Sequence, residues 1–167
     1  MSAPDALQLP EGRFAGVEAF RQCVRDALQV AVRDGWREMI WADPDFREWP
    51  LGERAVAELL QQWVAQPQRR LVVLAGHYDE IVRCHARFVT WRRTWSDRVE
   101  CRRSRVVDPA GVPSALWSPA WALVRQDSVR SGGVCTTLPE RRVALHEQLQ
   151  EGLRLSSPSF AATTLGL

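Results

Sequence analysis

The chain predicts an α/β fold of three layers, αβα, built on a mixed, largely parallel sheet. Three observations carry this. Leu71-Val72-Val73-Leu74-Ala75 is a nearly continuous apolar run closed by Gly76, as expected for a strand covered on both faces. A helical pattern follows from His77 to about Trp95, and an extended, basic run then goes from Arg98 to Val107, giving strand, crossover helix, strand. Upstream, helical and extended patterns also alternate, which implies parallel strands joined by helical crossovers.

Each element has its own signal. Val17, Phe20, Val24, Ala27, Leu28 and Ala31 recur at helical spacing between about Gly16 and Asp34, with Arg21, Arg25, Asp26 and Arg33 on the other face. Gly35 is placed to stop that helix. Met39 to Ala42 reads as a strand ended by Asp43-Pro44-Asp45, with a Trp-rich loop to Leu51. A second helix spans about Gly52 to Ala65, with Val56, Leu59, Leu60 and Trp63 inward, and Gln66-Pro67-Gln68 breaks it. After Val107 the character changes. Asp108-Pro109-Ala110-Gly111 is a turn signal. Ala115 to Gln126 reads as one strand interrupted by Pro119, bulged or at an edge. Ser131-Gly132-Gly133 is a further turn, and Val134 to Thr136 a short strand. Thr137-Leu138-Pro139-Glu140 matches a capping box, with a helix to about Leu153. The sheet is expected to hold about five to seven strands. Residues 1–13 read as a flexible tail, 14–155 as the domain, and 156–167 as a tail that docks or adds a strand.

A length of 167 residues suits one domain with a sizeable core. All 22 basic residues are arginine, which excludes lysine Schiff-base chemistry and a P-loop ammonium. Net charge is only +2, so attraction to an anion has to come from a local cluster. Cys23, Cys84, Cys101 and Cys135 form no C-x-x-C pair and read as reduced, buried residues of a cytoplasmic protein. No apolar run is long enough for a membrane span. No cofactor is expected.

Three sets of residues stand out. Eight arginines lie within residues 83–105. Arg83 and Arg87 follow Asp79 and Glu80 at helix-pair spacing and read as structural. Arg92, Arg93, Arg98, Arg102, Arg103 and Arg105, with Trp91 beside them to stack a ring, read as an anion-binding surface, against the plain alternative of a solvated face. His85 projects onto the centre of an apolar stripe and reads as a core residue. Asp43, Asp45 and His77 follow predicted parallel strands, where ligands of such sheets sit. Two carboxylates and an imidazole are donors a divalent ion accepts. Asp-Pro-Asp is also common turn chemistry, and no metal is expected there. Trp36, Trp49, Trp117 and Trp121 lie in or near loops or strand ends and would mark a protein interface if exposed.

Trp41-Ala42-Asp43-Pro44-Asp45-Phe46, Arg70 to Gly76, His85-Ala86-Arg87-Phe88 and the ending from Ser157-Pro158-Ser159-Phe160 carry a resemblance. The chain resembles the phospholipase D-like fold, in particular a small bacterial family of unknown function with one degenerate domain of that fold. Active members carry His-x-Lys-x-x-x-x-Asp, in which the histidine attacks phosphorus and the lysine holds phosphate oxygens. The best register here runs from Ala120 through Ala122 to Asp127, so both chemical residues are alanine. The resemblance therefore implies a non-catalytic module that binds an anionic ligand, weakly a polyanion, or a protein partner. It also implies a homodimer, since catalytic members assemble two such domains. The competing expectation is a phosphodiesterase or nuclease with a site near His77.

Overall fold

A computed structural model describes residues 7–161. In chain order the elements are β1 (Gly12–Phe14), α1 (Val17–Asp34), β2 (Glu38–Asp43), α2 (Arg54–Val64), β3 (Arg70–Ala75), α3 (Asp79–Cys84) and α4 (Ala86–Thr94). Then come β4 (Val99–Ser104), β5 (Ser114–Trp117), β6 (Ala122–Asp127), β7 (Gly132–Thr136), α5 (Pro139–Arg154) and β8 (Ser156–Pro158). The eight strands form one sheet in the order β1-β7-β6-β5-β2-β3-β4-β8.

The sheet is mixed but mostly antiparallel, which corrects the expectation of a largely parallel one. Only β2/β3 and β3/β4 run parallel. The pairings β1/β7, β2/β5, β4/β8, β5/β6 and β6/β7 are antiparallel. The connections explain this. Parallel neighbours need a crossover of about a dozen residues or more, and only β2–α2–β3 and β3–α3–α4–β4 join neighbouring strands that way, α5 instead carrying the chain from β7 to β8 at the far edge. Beyond β4, the strands β5, β6 and β7 follow one another through turns too short for anything but hairpins.

Alternation along the central strands sorts the core. Met39, Trp41, Leu71, Val73, Val99 and Cys101 face α1 to α4. Ile40, Ala42, Val72 and Leu74 face the other way, against Leu145 and Leu149 of α5. Helices thus cover both faces, four on one and one on the other.

Four local expectations differ. The helix expected over 77–95 is two helices, because His85 leaves helical geometry (φ −125°, ψ 56°). Its buried Nε2–H donates to the Phe46 carbonyl at 2.7 Å, a tertiary contact that periodicity does not carry. The interrupted strand over 115–126 is the β5/β6 hairpin, and Pro119 sits in its turn beside Ser118, whose Oγ accepts from the Trp121 amide at 2.9 Å. The capping box does not form. α5 starts with Pro139 in its first turn, and Thr137 bonds the Glu11 carboxylate instead. The N-terminal segment is not tail up to residue 13: Gly12–Phe14 pairs with β7, and Leu7 and Leu9 pack on the core.

The tryptophans are not an exposed surface. Trp36, Trp49 and Trp121 are 6%, 1% and 0% exposed. Trp117 is half-buried, its Nε1 donating to the Arg142 carbonyl. The loop after β2 folds inward, burying Phe46, Trp49 and Leu51 together. Large rings in a loop close a core as readily as they mark an interface. Cys23, Cys101 and Cys135 are buried, but Cys84 is exposed. The chain ending pairs with β4 as Ser156–Pro158, and residues 162–167 lie outside the described ones. Among the described residues, no helix is long and apolar enough to cross a membrane.

Candidate functional site

β2 and β3 run parallel in register, Asp43 opposite Ala75, so their carboxyl ends deliver Asp43-Pro44-Asp45 and Gly76-His77 to one place. The amides of Gly76 and His77 both donate to the Pro44 carbonyl, at 2.9 and 3.2 Å. A side chain at position 76 would lie 2.9 Å from that oxygen and from Pro109, so the approach requires glycine. Asp43, Asp45 and His77 open onto one cleft of about 580 Å³, roofed by the 109–113 loop and walled by Arg47, Arg125, Gln126 and Gln148.

Within it, Asp43 is structural. Its carboxylate is 1% exposed. Oδ2 accepts from the amides of Phe46 (2.8 Å) and Asp45 (3.2 Å), which turns the loop back under the sheet. Oδ1 accepts from Arg125 Nη2 at 2.9 Å. Arg125 also donates to Glu48 at 2.7 Å and to the hydroxyls of Ser114 and Ser131, and lies 4.2 Å over the Phe20 ring. Ser131 donates to the same Glu48 oxygen at 2.6 Å. The five groups close on themselves. Both Asp43 oxygens are thus engaged, and among the described residues no three His, Cys, Asp or Glu side chains form a metal-holding group.

His77 is different. Its Nδ1 is buried without a hydrogen bond, 3.7 Å from Asp79 Oδ2, while the side chain as a whole is one-third exposed. The Arg47 side chain is exposed beside it. Arg125 and Glu48 are the residues of this cleft that sequence reasoning missed. An arginine following the apolar run Ala122-Leu123-Val124 in a strand was the available signal.

The arginine-rich segment does not form one surface. Arg98 donates to the carbonyls of Val64 and Gln66, at 2.5 and 2.8 Å, closing the end of α2. Arg102 grips Ser156 and Glu100 and so fastens β8. Arg103 points to the opposite face, donating to the Gly76 carbonyl at 3.2 Å. Arg92 is buried, and Trp91, 6% exposed, has no free face for stacking. Arg93 and Arg105 are exposed. Arg93 is on α4, before β4, and Arg105 just after the strand, so the whole of β4, about 20 Å at ~3.3 Å per residue, lies between them along the chain.

Ala120 and Ala122 of the degenerate motif lie away from the cleft, whereas Asp127 stands between its residues Gln126 and Ser128. Ala120 is in the β5/β6 turn and Ala122 opens β6, level with Ile40 near the start of β2. Asp127 ends β6 and accepts from the amides of Val129 and Arg130, both at 3.0 Å, which is turn chemistry.

No protein-family model matches the chain. No curated protein matches it either. The fold is shared with solved structures at low identity. One is TrmBL2, an archaeal chromatin protein whose structure shows a novel mode of DNA binding. It has a TM-score of 0.66 at 10% identity, over 93% of this chain and 56% of that one. Another is a phosphatidylserine synthase of Haemophilus influenzae, of the phospholipase D-like superfamily. It has a TM-score of 0.55 at 14% identity, over 96% of this chain and 43% of that one. The chain spans about half the length of these structures.

Proposed function

We propose that the chain is a non-catalytic binding module on a phospholipase D-like fold, and that a small polar ligand seats in the strand-end cleft. One observation supports this above the others: Asp43, Asp45 and His77 share a cleft of about 580 Å³, whereas the motif positions that would do phosphoryl chemistry are Ala120 and Ala122, at the other end of β6. Without an imidazole to attack phosphorus and an amine to hold its oxygens, the phospholipase D route has no nucleophile. Arg125, Asp43 and Glu48 engage one another, so the groups left to a ligand are Arg47, His77, Gln126, Ser128 and Gln148, with Asp45 beside them. That set suits a ligand with one anionic group, received by Arg47 and His77, and hydroxyl or amide groups for the rest.

Bis-p-nitrophenyl phosphate tests the non-catalytic part. No release of nitrophenolate above the buffer rate is expected, with or without magnesium. Turnover that survives chelation of metals and disappears in His77→Ala would establish a phosphodiesterase or nuclease site at His77 instead.

A second reading, weak nucleic-acid binding, is favoured by one observation: the fold is shared with a DNA-binding protein. Arg93 and Arg105 are the exposed cations of the basic segment without a partner among the described residues. Two neutralised phosphates give a log-log salt slope of only about −1.4 on a single strand. Titration with a short single strand is expected to show no saturable binding at moderate salt. Saturable binding lost in Arg93→Ala/Arg105→Ala would put nucleic acid first.

A further inference from the structure

Arg92 is 8% exposed, on the inner side of α4. Its Nε and Nη1 have no hydrogen-bond partner, and Nη2 reaches only the Phe160 carbonyl, at 3.4 Å. None of the carboxylates in the described residues is paired with it. Glu100 lines the same cavity, but its oxygens are taken by Arg70 at 2.7 Å and Arg102 at 3.1 Å. The neighbouring Cys101 and Tyr78 supply no charge at neutral pH. Burial pushes the Cys101 thiol up to about 11 although the guanidinium opposes it, and burial also raises Tyr78. An arginine does not lose its proton in a protein, so among the described residues this is a buried cation without a counter-charge, which is unfavourable unless something supplies one.

Arg92 lines a cavity of about 430 Å³ between α4, β4 and the chain after β8, with Ser96, Val99, Ser159 and Phe160; Nε and Nη1 are closed off from solvent, so a ligand reaches the guanidinium through Nη2 as it releases the Phe160 carbonyl. That is room for on the order of ten waters, more than an inorganic ion needs. Phe160 forms one wall. It is stacked on Tyr78 with centroids 5.0 Å apart and holds a left-handed backbone (φ 52°), unfavourable for a bulky residue.

We propose that this cavity is a binding site for a small organic oxyanion, its charged group on Arg92 and its apolar part against Phe160 and Val99. The site is separate from the strand-end cleft and does not depend on its function. The charged group is a carboxylate or a phosphate ester, both of which a guanidinium receives.

Benzoate and phenyl phosphate distinguish the two, titrated into the full chain by calorimetry and followed by thermal denaturation against sodium chloride at matched ionic strength. At least one is expected to bind saturably and to raise the melting temperature, the tighter one identifying the charged group. Arg92→Met weakens that binding at least tenfold, while Arg93→Met, on the exposed side of the helix, leaves it unchanged. In chloride buffer Arg92→Met is as stable as the parent or more so, because it removes an uncompensated charge. The site is overturned if neither anion acts beyond matched chloride, or if Arg92→Met keeps the response. It is equally overturned if Arg92→Met fails to fold or is clearly less stable in chloride, since the guanidinium then has its counter-charge inside the protein.

Discussion

Replacing Arg125 with alanine is expected to lower the melting temperature by roughly 6–20 °C. The substitution removes the cation paired with Asp43, which is 1% exposed. Breaking a buried pair from one side costs about 3–5 kcal/mol, because the remaining charge is left uncompensated. For a chain of this size each kcal/mol is worth about 2–4 °C. Glu48 and Ser131 lose the same partner, and Phe20 loses the guanidinium above its ring. The loss is therefore larger than any exposed arginine gives, and Arg130→Ala is the control, with an expected change under ~2 °C. The partners are coupled. Asp43→Asn in the Arg125→Ala background should recover part of the loss, since a neutral amide no longer demands a counter-charge. A drop of less than about 3 °C for Arg125→Ala, or no recovery in the double variant, would falsify the closed network that shapes the cleft.

The parts legible in the sequence are those written in local pattern. β2, β3 and α1 announce themselves by apolar period, and Gly35 closes α1 as expected, with φ 70° and its amide on the Ala31 carbonyl. Asp43, Asp45 and His77 were legible because the ends of adjacent parallel strands meet whatever the side chains are. What was hidden depends on partners far along the chain. The break at His85 answers to Phe46, 39 residues earlier. Thr137 is held by Glu11, 126 residues away, so a local capping signal lost to a tertiary one. Arg125 meets Asp43 across 82 residues. The arginines were misread for a related reason. Periodicity shows which face a residue takes, but not that Arg98 finds the carbonyls of Val64 and Gln66, or that Arg102 finds Ser156. Hydrophobicity alone likewise placed Trp49 in a loop without showing that the loop turns inward. β1 and β8, three residues each, are too short to carry a period at all.

Gly133→Ala is the second large effect, and it separates two glycines that look equivalent in Ser131-Gly132-Gly133. Gly133 lies in β7 between β1 and β6, opposite Phe14 on one side and Arg125 on the other. The register shifts immediately beside it, between Arg125 and Asp127, as at a bulge. A Cβ on Gly133 would overlap the Val124 carbonyl oxygen and lie 2.7 Å from Phe14 Cζ and 2.8 Å from Arg125 Cα. Two of these are backbone atoms of the adjacent strand and cannot move without opening the sheet. Overpacking costs about 1–3 kcal/mol where side chains can yield, and more where they cannot. A loss of about 3 kcal/mol or more is expected, which is roughly 6–12 °C or beyond. At Gly132 the nearest atom to a new Cβ is the Phe14 carbonyl oxygen at 3.6 Å, an ordinary contact. Gly132→Ala should therefore change stability by less than about 1 kcal/mol. The strand that Gly133→Ala displaces carries Arg125, so part of its cost is the disturbed contact with Asp43. The double variant Gly133→Ala/Arg125→Ala is then less destabilised than the sum of the two singles, by about 1 kcal/mol or more. Equal effects at Gly132 and Gly133, measured by urea unfolding at unchanged slope, would remove the close approach of β6 and β7 as the reason for glycine at this position.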